Sequence, residues 1–253
     1  GNGRCFAPDG ETLLISSDET GIINAYELAL DGTKTALTTS ALDSTFAGTF
    51  FPSDDRILVQ ADKGGNEINH LYVRAADGTL TDLTPGEKTR AYFLGWNETG
   101  SEFYVATNAR NEATDDVYAY SAADYSSKLI YQNDGKEIGS ISPDGKRLAL
   151  VENVSSANTN IYLVDLSAEA PTPALITPHE GNIAYSVYDF TPDGGKLVYG
   201  TNEHGEFTEA WTHDVTTGEK AELVSADWDV LGVSFSHAVV DGYSAFLFLT
   251  AWA

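Results

Sequence analysis

The sequence predicts an all-β fold: a β-propeller of four-stranded antiparallel blades, with about five blades and a partial sixth. Three observations predict this fold. A turn motif recurs along the chain at intervals of 44 to 49 residues, two further motifs recur in step with it, and no segment keeps a period of 3.6 residues. Four short strands in each repeat of roughly 45 residues, stacked radially, are typical of a propeller.

The turn motif is an aromatic or large apolar residue, two further residues, and then Asp-Gly or a substitute. Gly tolerates a positive φ and Asp bonds to its own backbone, so the motif predicts a tight turn between the first and second strands of each unit. The five copies are Phe6-Ala7-Pro8-Asp9-Gly10, Phe50-Phe51-Pro52-Ser53-Asp54, Trp96-Asn97-Glu98-Thr99-Gly100, Ile141-Ser142-Pro143-Asp144-Gly145 and Phe190-Thr191-Pro192-Asp193-Gly194. A sixth copy begins at Phe235-Ser236 and then fails.

Two other motifs keep the same spacing. An aromatic residue follows a small or apolar one in the third predicted strand, at Ala25-Tyr26, Leu71-Tyr72, Val117-Tyr118, Ile161-Tyr162 and Ala210-Trp211. A second motif closes each unit, at Leu37-Thr38, Leu83-Thr84-Pro85, Leu129-Ile130, Leu175-Ile176-Thr177-Pro178 and Leu223-Val224. Three motifs that stay in step over five units indicate one repeated structural unit.

Each unit resolves into four strands. In the fourth unit we expect them at 138–141, 147–154, 160–166 and 174–177. Second strands such as Leu148-Ala149-Leu150-Val151 are apolar on both faces, whereas a strand with one solvated face should alternate. Burial on both faces is expected where each sheet lies between two similar sheets.

The predicted blades cover residues 1–236. We place their boundaries at 1–40, 41–86, 87–133, 134–178 and 179–226, with a partial blade at 227–236 and an atypical segment at 237–253. A competing geometry closes a five-bladed ring by using 230–235 as the innermost strand of the first blade. The chain has no methionine, so we expect it to be a processed or truncated piece of a longer protein.

Composition excludes several classes of function. Acidic residues number 38 against 14 basic ones, which gives a formal net charge of −24. Nucleic acids and anionic membrane surfaces both attract clustered Lys and Arg, so we expect neither as a partner. The acidity fits salt adaptation or an extracytoplasmic surface, and we expect a periplasmic or secreted location.

No catalytic constellation is visible. The string Gly232-Val233-Ser234-Phe235-Ser236 lacks the closing Gly of a nucleophile elbow, and His179-Glu180-Gly181-Asn182-Ile183 lacks the second His of a zinc peptidase motif. The five histidines show no zinc-ligand spacing. We therefore assign no catalytic residue, no metal ligand and no cofactor.

The repeats resemble a known family. Ile141-Ser142-Pro143-Asp144-Gly145-Lys146-Arg147-Leu148 is similar to the TolB-type propeller repeat, and phrases between repeats, such as Leu83-Thr84-Pro85-Gly86-Glu87 and Ala226-Asp227-Trp228-Asp229-Val230, resemble the propeller of bacterial peptidases in the prolyl oligopeptidase family. The resemblance covers about 6–236. It implies a non-catalytic domain that covers the active site of a C-terminal α/β-hydrolase domain, absent from this chain, and restricts substrates to short peptides.

The same resemblance directs attention to ionic side chains, because some family members hold the terminal amine or carboxylate of a peptide with acids or arginines of the propeller. The loops between the second and third strands vary from unit to unit, and variable loops on a rigid scaffold commonly carry binding. From these loops we select Asp18, Arg110, Glu203 and Glu206 as candidate substrate-binding residues.

Two other functions stay open. One is a free-standing TolB-type propeller that acts as a protein-interaction scaffold. The other is a propeller that is itself catalytic, a metal-dependent sugar lyase with histidines converging on the axis.

Overall fold

The computed structural model describes residues 6–235 and 245–246. These residues form strands and turns and contain no α-helix, so none of them belongs to a helix that could span a bilayer. The chain divides into two compact units between Asn133 and Asp134.

The first unit contains three blades. The strands of blade 1 are β1 (Thr12–Ser17), β2 (Asn24–Ala29) and β3 (Lys34–Ala36). The strands of blade 2 are β4 (Thr45–Phe50), β5 (Ile57–Ala61), β6 (His70–Arg74) and β7 (Leu80–Asp82). The strands of blade 3 are β8 (Ala91–Trp96), β9 (Glu102–Asn111), β10 (Thr114–Ser121) and β11 (Ser127–Tyr131).

The second unit contains two blades and a short strand pair. The strands of blade 4 are β12 (Glu137–Ile141), β13 (Arg147–Ser155), β14 (Asn158–Asp165) and β15 (Pro173–Leu175). The strands of blade 5 are β16 (Tyr185–Phe190), β17 (Lys196–Thr201), β18 (Glu209–Asp214) and β19 (Lys220–Val224). The short strands β20 (Ser234–Phe235) and β21 (Ala245–Phe246) pair with each other.

The predicted fold class is confirmed. Blades 2 to 5 are four-stranded antiparallel sheets in sequence order, and blade 1 has three strands plus a single bridge from Phe6 to Leu13. The strands predicted for the fourth unit agree with the observed ones to within two residues at each end. The second strands of blades 2 to 5 are buried on both faces, as Leu148, Ala149 and Leu150 illustrate.

The turn motif works as the sequence predicts. In blade 5, Thr191 Oγ1 and Gly195 N donate to Asp193 Oδ1 at 2.6 and 3.0 Å, and these bonds lower the pKa of the Asp193 carboxyl. The following residue, Gly194, has a φ of 67°, which a side chain would disfavour. The carboxylates of these turns are therefore used in shaping the hairpins.

The sequence motif that closes each repeat has a specific role in blades 1, 2 and 4. The Oγ1 atoms of Thr38, Thr84 and Thr177 accept hydrogen bonds from the backbone N–H groups of Ala25, Leu71 and Ile161 at 2.9, 3.0 and 2.8 Å. All three threonines are buried. Each one ties the end of a blade to its third strand and satisfies a buried donor.

Every first strand of blades 2 to 5 carries a bulge at an equivalent position, at residues 48, 94, 139 and 188. In blade 4 this residue is Gly139, where a Cβ atom would lie 2.9 Å from Val187 Cβ and 3.1 Å from Ala149 O. The close approach of blades 4 and 5 therefore depends on glycine at this bulge.

Aromatic residues dominate the core of the first unit, where blades 2 and 3 meet. Phe51 makes edge-to-face contacts with Trp96 and Phe103, at centroid distances of 5.0 and 6.1 Å. Trp96 Nε1 also donates to Thr49 Oγ1 at 3.0 Å. In the second unit, Phe190, Leu197 and Tyr199 pack with residues of blade 4.

Two expectations about the chain ends lie partly or wholly outside the described residues. The segment 237–253 is described only at Ala245–Phe246, so its predicted divergence is not tested. Residues 234–235 pair with 245–246, a partner that the competing ring-closure geometry did not include. Ring closure stays a prediction.

Candidate functional site

Hairpins between second and third strands carry the predicted binding residues, but two of these hairpins are tighter than expected. Arg110 is expected in a loop, whereas 108–111 continue β9 and only Glu112-Ala113 form the turn. Asn111 Oδ1 accepts from Ala113 N at 3.1 Å, which closes the hairpin. Blade 4 behaves alike, since Ser156-Ala157 alone connect β13 and β14. The loop assignment was wrong because polar side chains on an exposed hairpin resemble a loop in sequence.

The four selected residues occupy different settings. Asp18 is exposed in the turn after β1, where its backbone carbonyl accepts from Gly21 N at 2.7 Å. Glu206 is exposed in the connection between β17 and β18. Only Arg110 and Glu203 place their side chains in hydrogen-bonded networks, one in each unit.

Arg110 is fixed by a buried carboxylate. Its Nε and Nη2 atoms donate to Asp116 Oδ2 and Oδ1 at 2.5 and 3.0 Å. The Asp116 side chain is fully buried, whereas that of Arg110 is 34% exposed. The hydrogen bond to Asp116 raises the pKa of the Arg110 guanidinium. The result is an oriented cation whose remaining donors face solvent.

Two further ion pairs surround Arg110. Arg90 Nη2 lies 3.0 Å from Asp115 Oδ1, and Lys88 Nζ lies 3.1 Å from Glu112 Oε2. Asn108 joins the two basic residues, because its Oδ1 accepts from Arg90 N at 2.8 Å and its Nδ2 donates to the Lys88 carbonyl at 2.9 Å. A shallow cavity of about 550 Å³ lies here, lined by Glu87, Lys88, Thr89, Asn108, Ala109, Arg110, Asn111 and Glu112. We call it the blade 3 cavity.

Sequence reasoning missed Asp116, although a signal for it exists. The residue two positions before the repeated aromatic of the third strand is polar in all five units: Asn24, His70, Asp116, Asn160 and Glu209. In the structure four of these side chains bond to a neighbouring strand or connection, as Asp116 does by accepting from Asn133 N at 2.9 Å, whereas Glu209 accepts from Trp211 on its own strand. A search for periodic polar residues would have found this position.

Glu203 belongs to an aromatic cluster in blade 5. Tyr185 Oη donates to Glu203 Oε2 at 2.9 Å, and burial together with this bond raises the pKa of the Tyr185 hydroxyl. Tyr199 is fully buried beside Tyr185, with ring centroids 6.1 Å apart, and its hydroxyl has no hydrogen-bond partner among the described residues. Burial and the Glu203 charge raise the pKa of Tyr199 to about 12.

The outer part of this cluster contains two neighbouring rings whose planes are tilted by 36°. The His204 ring lies 4.2 Å from that of Trp211, and Trp211 Nε1 donates to Glu209 Oε2 at 2.9 Å. His204 Nε2 is also 3.7 Å from Glu203 Oε2. A carboxylate close to aromatic rings favours an amine or another cation.

The histidines do not converge within the described chain. His70 bonds to Asp82 and to the Gly86 carbonyl, and His179 bonds to the Thr177 carbonyl and to Asn158. Across residues 6–235, no three His, Cys, Asp or Glu side chains are grouped closely enough to hold a metal ion. His237 lies outside the described residues.

Comparison with known proteins identifies the fold. No family model matches the sequence, and no curated protein matches it. Among solved structures, TolB from Acinetobacter baumannii matches with a TM-score of 0.57 and 21% identity, over 86% of this chain and 52% of that one.

Two solved enzymes also match. An oligogalacturonate lyase in complex with manganese gives a TM-score of 0.70 at 18% identity, over 93% of this chain and 68% of that one. A prolyl endopeptidase gives 0.65 at 16% identity, over 86% of this chain and 34% of that one. The chain therefore has the fold of a TolB-like β-propeller, and it spans about half of TolB and a third of the endopeptidase.

Proposed function

We propose that this chain is a non-catalytic propeller domain that covers and gates the active site of a prolyl oligopeptidase-family serine peptidase of the dipeptidyl, acylaminoacyl or oligopeptidase type. Its partners are then a C-terminal α/β-hydrolase domain and short peptides, with neither nucleic acid nor membrane as partner and with no cofactor. The match to one third of a prolyl endopeptidase supports this proposal, because a gating domain is only part of such an enzyme. A periplasmic or secreted location belongs to the same proposal.

The observation that carries the proposal is the fixed Arg110 guanidinium. Asp116 holds one edge of it, and Nη1 makes no hydrogen bond with any described residue. A fixed guanidinium binds a carboxylate with little loss of side-chain entropy. On a chain of net charge −24, this cavity is lined by two of the 14 basic residues, Lys88 and Arg110, together with the acids Glu87 and Glu112. Because Lys88 pairs with Glu112, Arg110 is the lining cation suited to the C-terminal carboxylate of a short peptide.

Glu203, in blade 5, is a separate candidate for binding a charged end of a peptide. Its carboxylate accepts a hydrogen bond from the Tyr185 hydroxyl and lies 3.7 Å from His204 Nε2, a setting suited to a terminal amine. Asp18 and Glu206 remain candidates for the same role because both are exposed acids on connections between second and third strands.

Binding of a tripeptide by calorimetry tests the proposal. We expect the free acid to bind this chain and its C-terminal amide to bind about tenfold more weakly, since the amide loses a charge-assisted pair. Arg110→Gln should lower the affinity for the free acid by a similar factor and leave the affinity for the amide unchanged. Lys128→Gln is the matched control, because Lys128 lies on β11 and does not line the blade 3 cavity. Equal binding of acid and amide by the unaltered chain would contradict the proposed role of Arg110.

The gating role needs a second experiment. We expect the coding sequence beyond residue 253 to encode a G-x-S-x-G elbow between a strand and a helix. The longer protein should cleave short peptides, and this chain alone should not. A coding sequence without a hydrolase domain would instead favour the free-standing TolB-type scaffold, which the likeness to TolB also supports.

The lyase function is kept as a second candidate because an oligogalacturonate lyase matches 93% of this chain. The basic residues of the blade 3 cavity also fit the carboxylates of an acidic sugar. Incubation of the chain with oligogalacturonate and manganese tests this candidate. Appearance of the ultraviolet absorbance of an unsaturated sugar would replace the gating proposal with the lyase.

A further inference from the structure

A second, open cavity lies between blades 4 and 5, near the turn between β18 and β19. Its volume is about 410 Å³, within the range of about 300–1,000 Å³ seen for ligand pockets. It is lined by Arg147, Leu163, Asp165, Thr172, Ala174, Ile176, His213, Val215, Thr216, Thr217 and Gly218. We call it the blade 4–5 cleft.

The floor of the cleft is apolar. Leu163, Ile176 and Val215 are partly buried and pack against the core of the second unit. Ala174 lies opposite Leu163 in the register of β14 and β15. This surface suits one aliphatic side chain of a ligand.

A histidine in the wall of the cleft has unused hydrogen-bonding capacity. His213 is 8% exposed, and its Nδ1 is shielded from solvent without a partner in the described chain. No hydrogen bond from a described residue reaches Nε2. Buried polar groups are seldom left unpaired, so His213 has capacity for a further hydrogen bond beside this cleft.

The rim carries a cation with free donors. Arg147 uses only Nη1, which contacts Asp165 and donates to the Lys146 carbonyl at 3.2 Å. The Nε and Nη2 donors make no hydrogen bond with any described residue. That edge of a guanidinium is one that binds a carboxylate through two parallel hydrogen bonds.

From these three features we infer that the blade 4–5 cleft binds a carboxylate attached next to an aliphatic side chain, as in an N-acylated leucine or the C-terminus of a peptide. The carboxylate pairs with Arg147 Nε and Nη2, the aliphatic group lies on Leu163, Ile176 and Val215, and the His213 imidazole bonds to a polar atom of the ligand. The site is separate from the blade 3 cavity and does not depend on the proposed function.

Nuclear magnetic resonance of the imidazole groups tests this inference, with N-acetyl-leucine as the probe. The His213 signals are assigned by their loss in His213→Gln. We expect N-acetyl-leucine to shift them, and N-acetyl-leucinamide and N-acetylglycine to bind about tenfold more weakly because each lacks one recognised group. An acylated tripeptide ending in leucine distinguishes a peptide C-terminus from a free N-acylated amino acid as the ligand. Tighter binding than that of N-acetyl-leucine assigns the site to a peptide C-terminus, and equal or weaker binding assigns it to the free N-acylated amino acid.

Variants provide an independent readout. Arg147→Gln should lower the affinity for N-acetyl-leucine about tenfold and leave the affinity for N-acetyl-leucinamide unchanged. Lys128→Gln, on β11, is the control and should leave both affinities unaltered. Unshifted His213 signals at millimolar N-acetyl-leucine, or equal affinity for acid and amide in the unaltered chain, would overturn the inference even if a variant failed to fold.

Discussion

Arg110 donates two hydrogen bonds to the carboxylate of Asp116, and Asp116 is fully buried while Arg110 reaches solvent. The carboxylate also accepts from Asn133 N, so it joins the tip of β9 to the end of blade 3. One buried acid therefore both orients an exposed cation and fixes the chain where blade 3 ends.

Replacement of Asp116 tests this double role. Asp116→Asn retains one acceptor oxygen but introduces an N–H group among the donors, so we expect the free energy of unfolding to fall by ~1–3 kcal/mol. Denaturant unfolding measures the change. Asp115→Asn is the matched control, because Asp115 is 24% exposed and its pair with Arg90 should contribute only ~0–1 kcal/mol. Equal effects of the two substitutions would argue against a special role for the buried acid.

The two tyrosines near Glu203 should respond in opposite directions. Tyr199→Phe removes a buried hydroxyl that has no partner among the described residues, so we expect stability to rise by ~1 kcal/mol. Tyr185→Phe removes the donor to Glu203 and should lower stability by ~1 kcal/mol. Thermal unfolding of the two variants provides the comparison. A loss of stability in Tyr199→Phe would show that its hydroxyl has a partner in the folded protein.

The buried threonine at the end of blade 4 should be essential for its shape. Thr177→Val keeps the volume but leaves the Ile161 N–H without an acceptor, which should cost ~1–3 kcal/mol. Thr177→Ser retains the hydroxyl and serves as the control. Hydrogen exchange at the Ile161 amide adds a local readout, and unchanged protection in Thr177→Val would contradict the assigned bond.

Close packing at the bulge of β12 gives a steric prediction. Gly139→Ala places a Cβ atom 2.9 Å from Val187 Cβ, and this overpacking should cost ~1–3 kcal/mol. Gly205→Ala is the control, since its nearest contact would be the Glu209 side chain at 3.6 Å in an exposed connection. Chemical denaturation measures the free energy of unfolding of both variants. Equal values would show that blades 4 and 5 can separate enough to accept the methyl group.

Stability should depend on pH through His213. Burial and the nearby Lys220 charge lower its pKa below the ordinary value of 6.5, and the Asp214 charge acts in the opposite direction. Between the unfolded and the folded pKa, His213 is protonated in the unfolded chain and still neutral in the folded chain. The free energy of unfolding therefore falls as pH drops below 6.5, until the folded pKa is passed. His213→Gln should remove this component, whose slope is at most about 1.4 kcal/mol per pH unit. Identical slopes for His213→Gln and the unaltered chain between pH 6.5 and 5.5 would contradict this assignment.

The sequence by itself predicted the repeat and therefore the blades. Tight turns need Gly and Asp at fixed offsets, and strands buried on both faces need continuous apolar runs such as 148–151, so both leave a local and periodic record in the chain. The third-strand aromatics and the closing threonines also recur because every blade repeats the same local structure. The hydrogen bonds that the threonine hydroxyls accept were not predicted from the sequence.

The candidate sites were less predictable. Arg110 could be selected as an ionic residue near a hairpin, but its partner Asp116 lies on the next strand, and its orientation arises from strand pairing. The blade 4–5 cleft was not foreseen at all, because Arg147, Ile176 and His213 are distant in sequence and none belongs to a motif of known chemistry. Tertiary packing alone decided which polar atoms remained unpaired, since hydrogen-bond partners and solvent exposure depend on neighbours that the linear pattern does not specify.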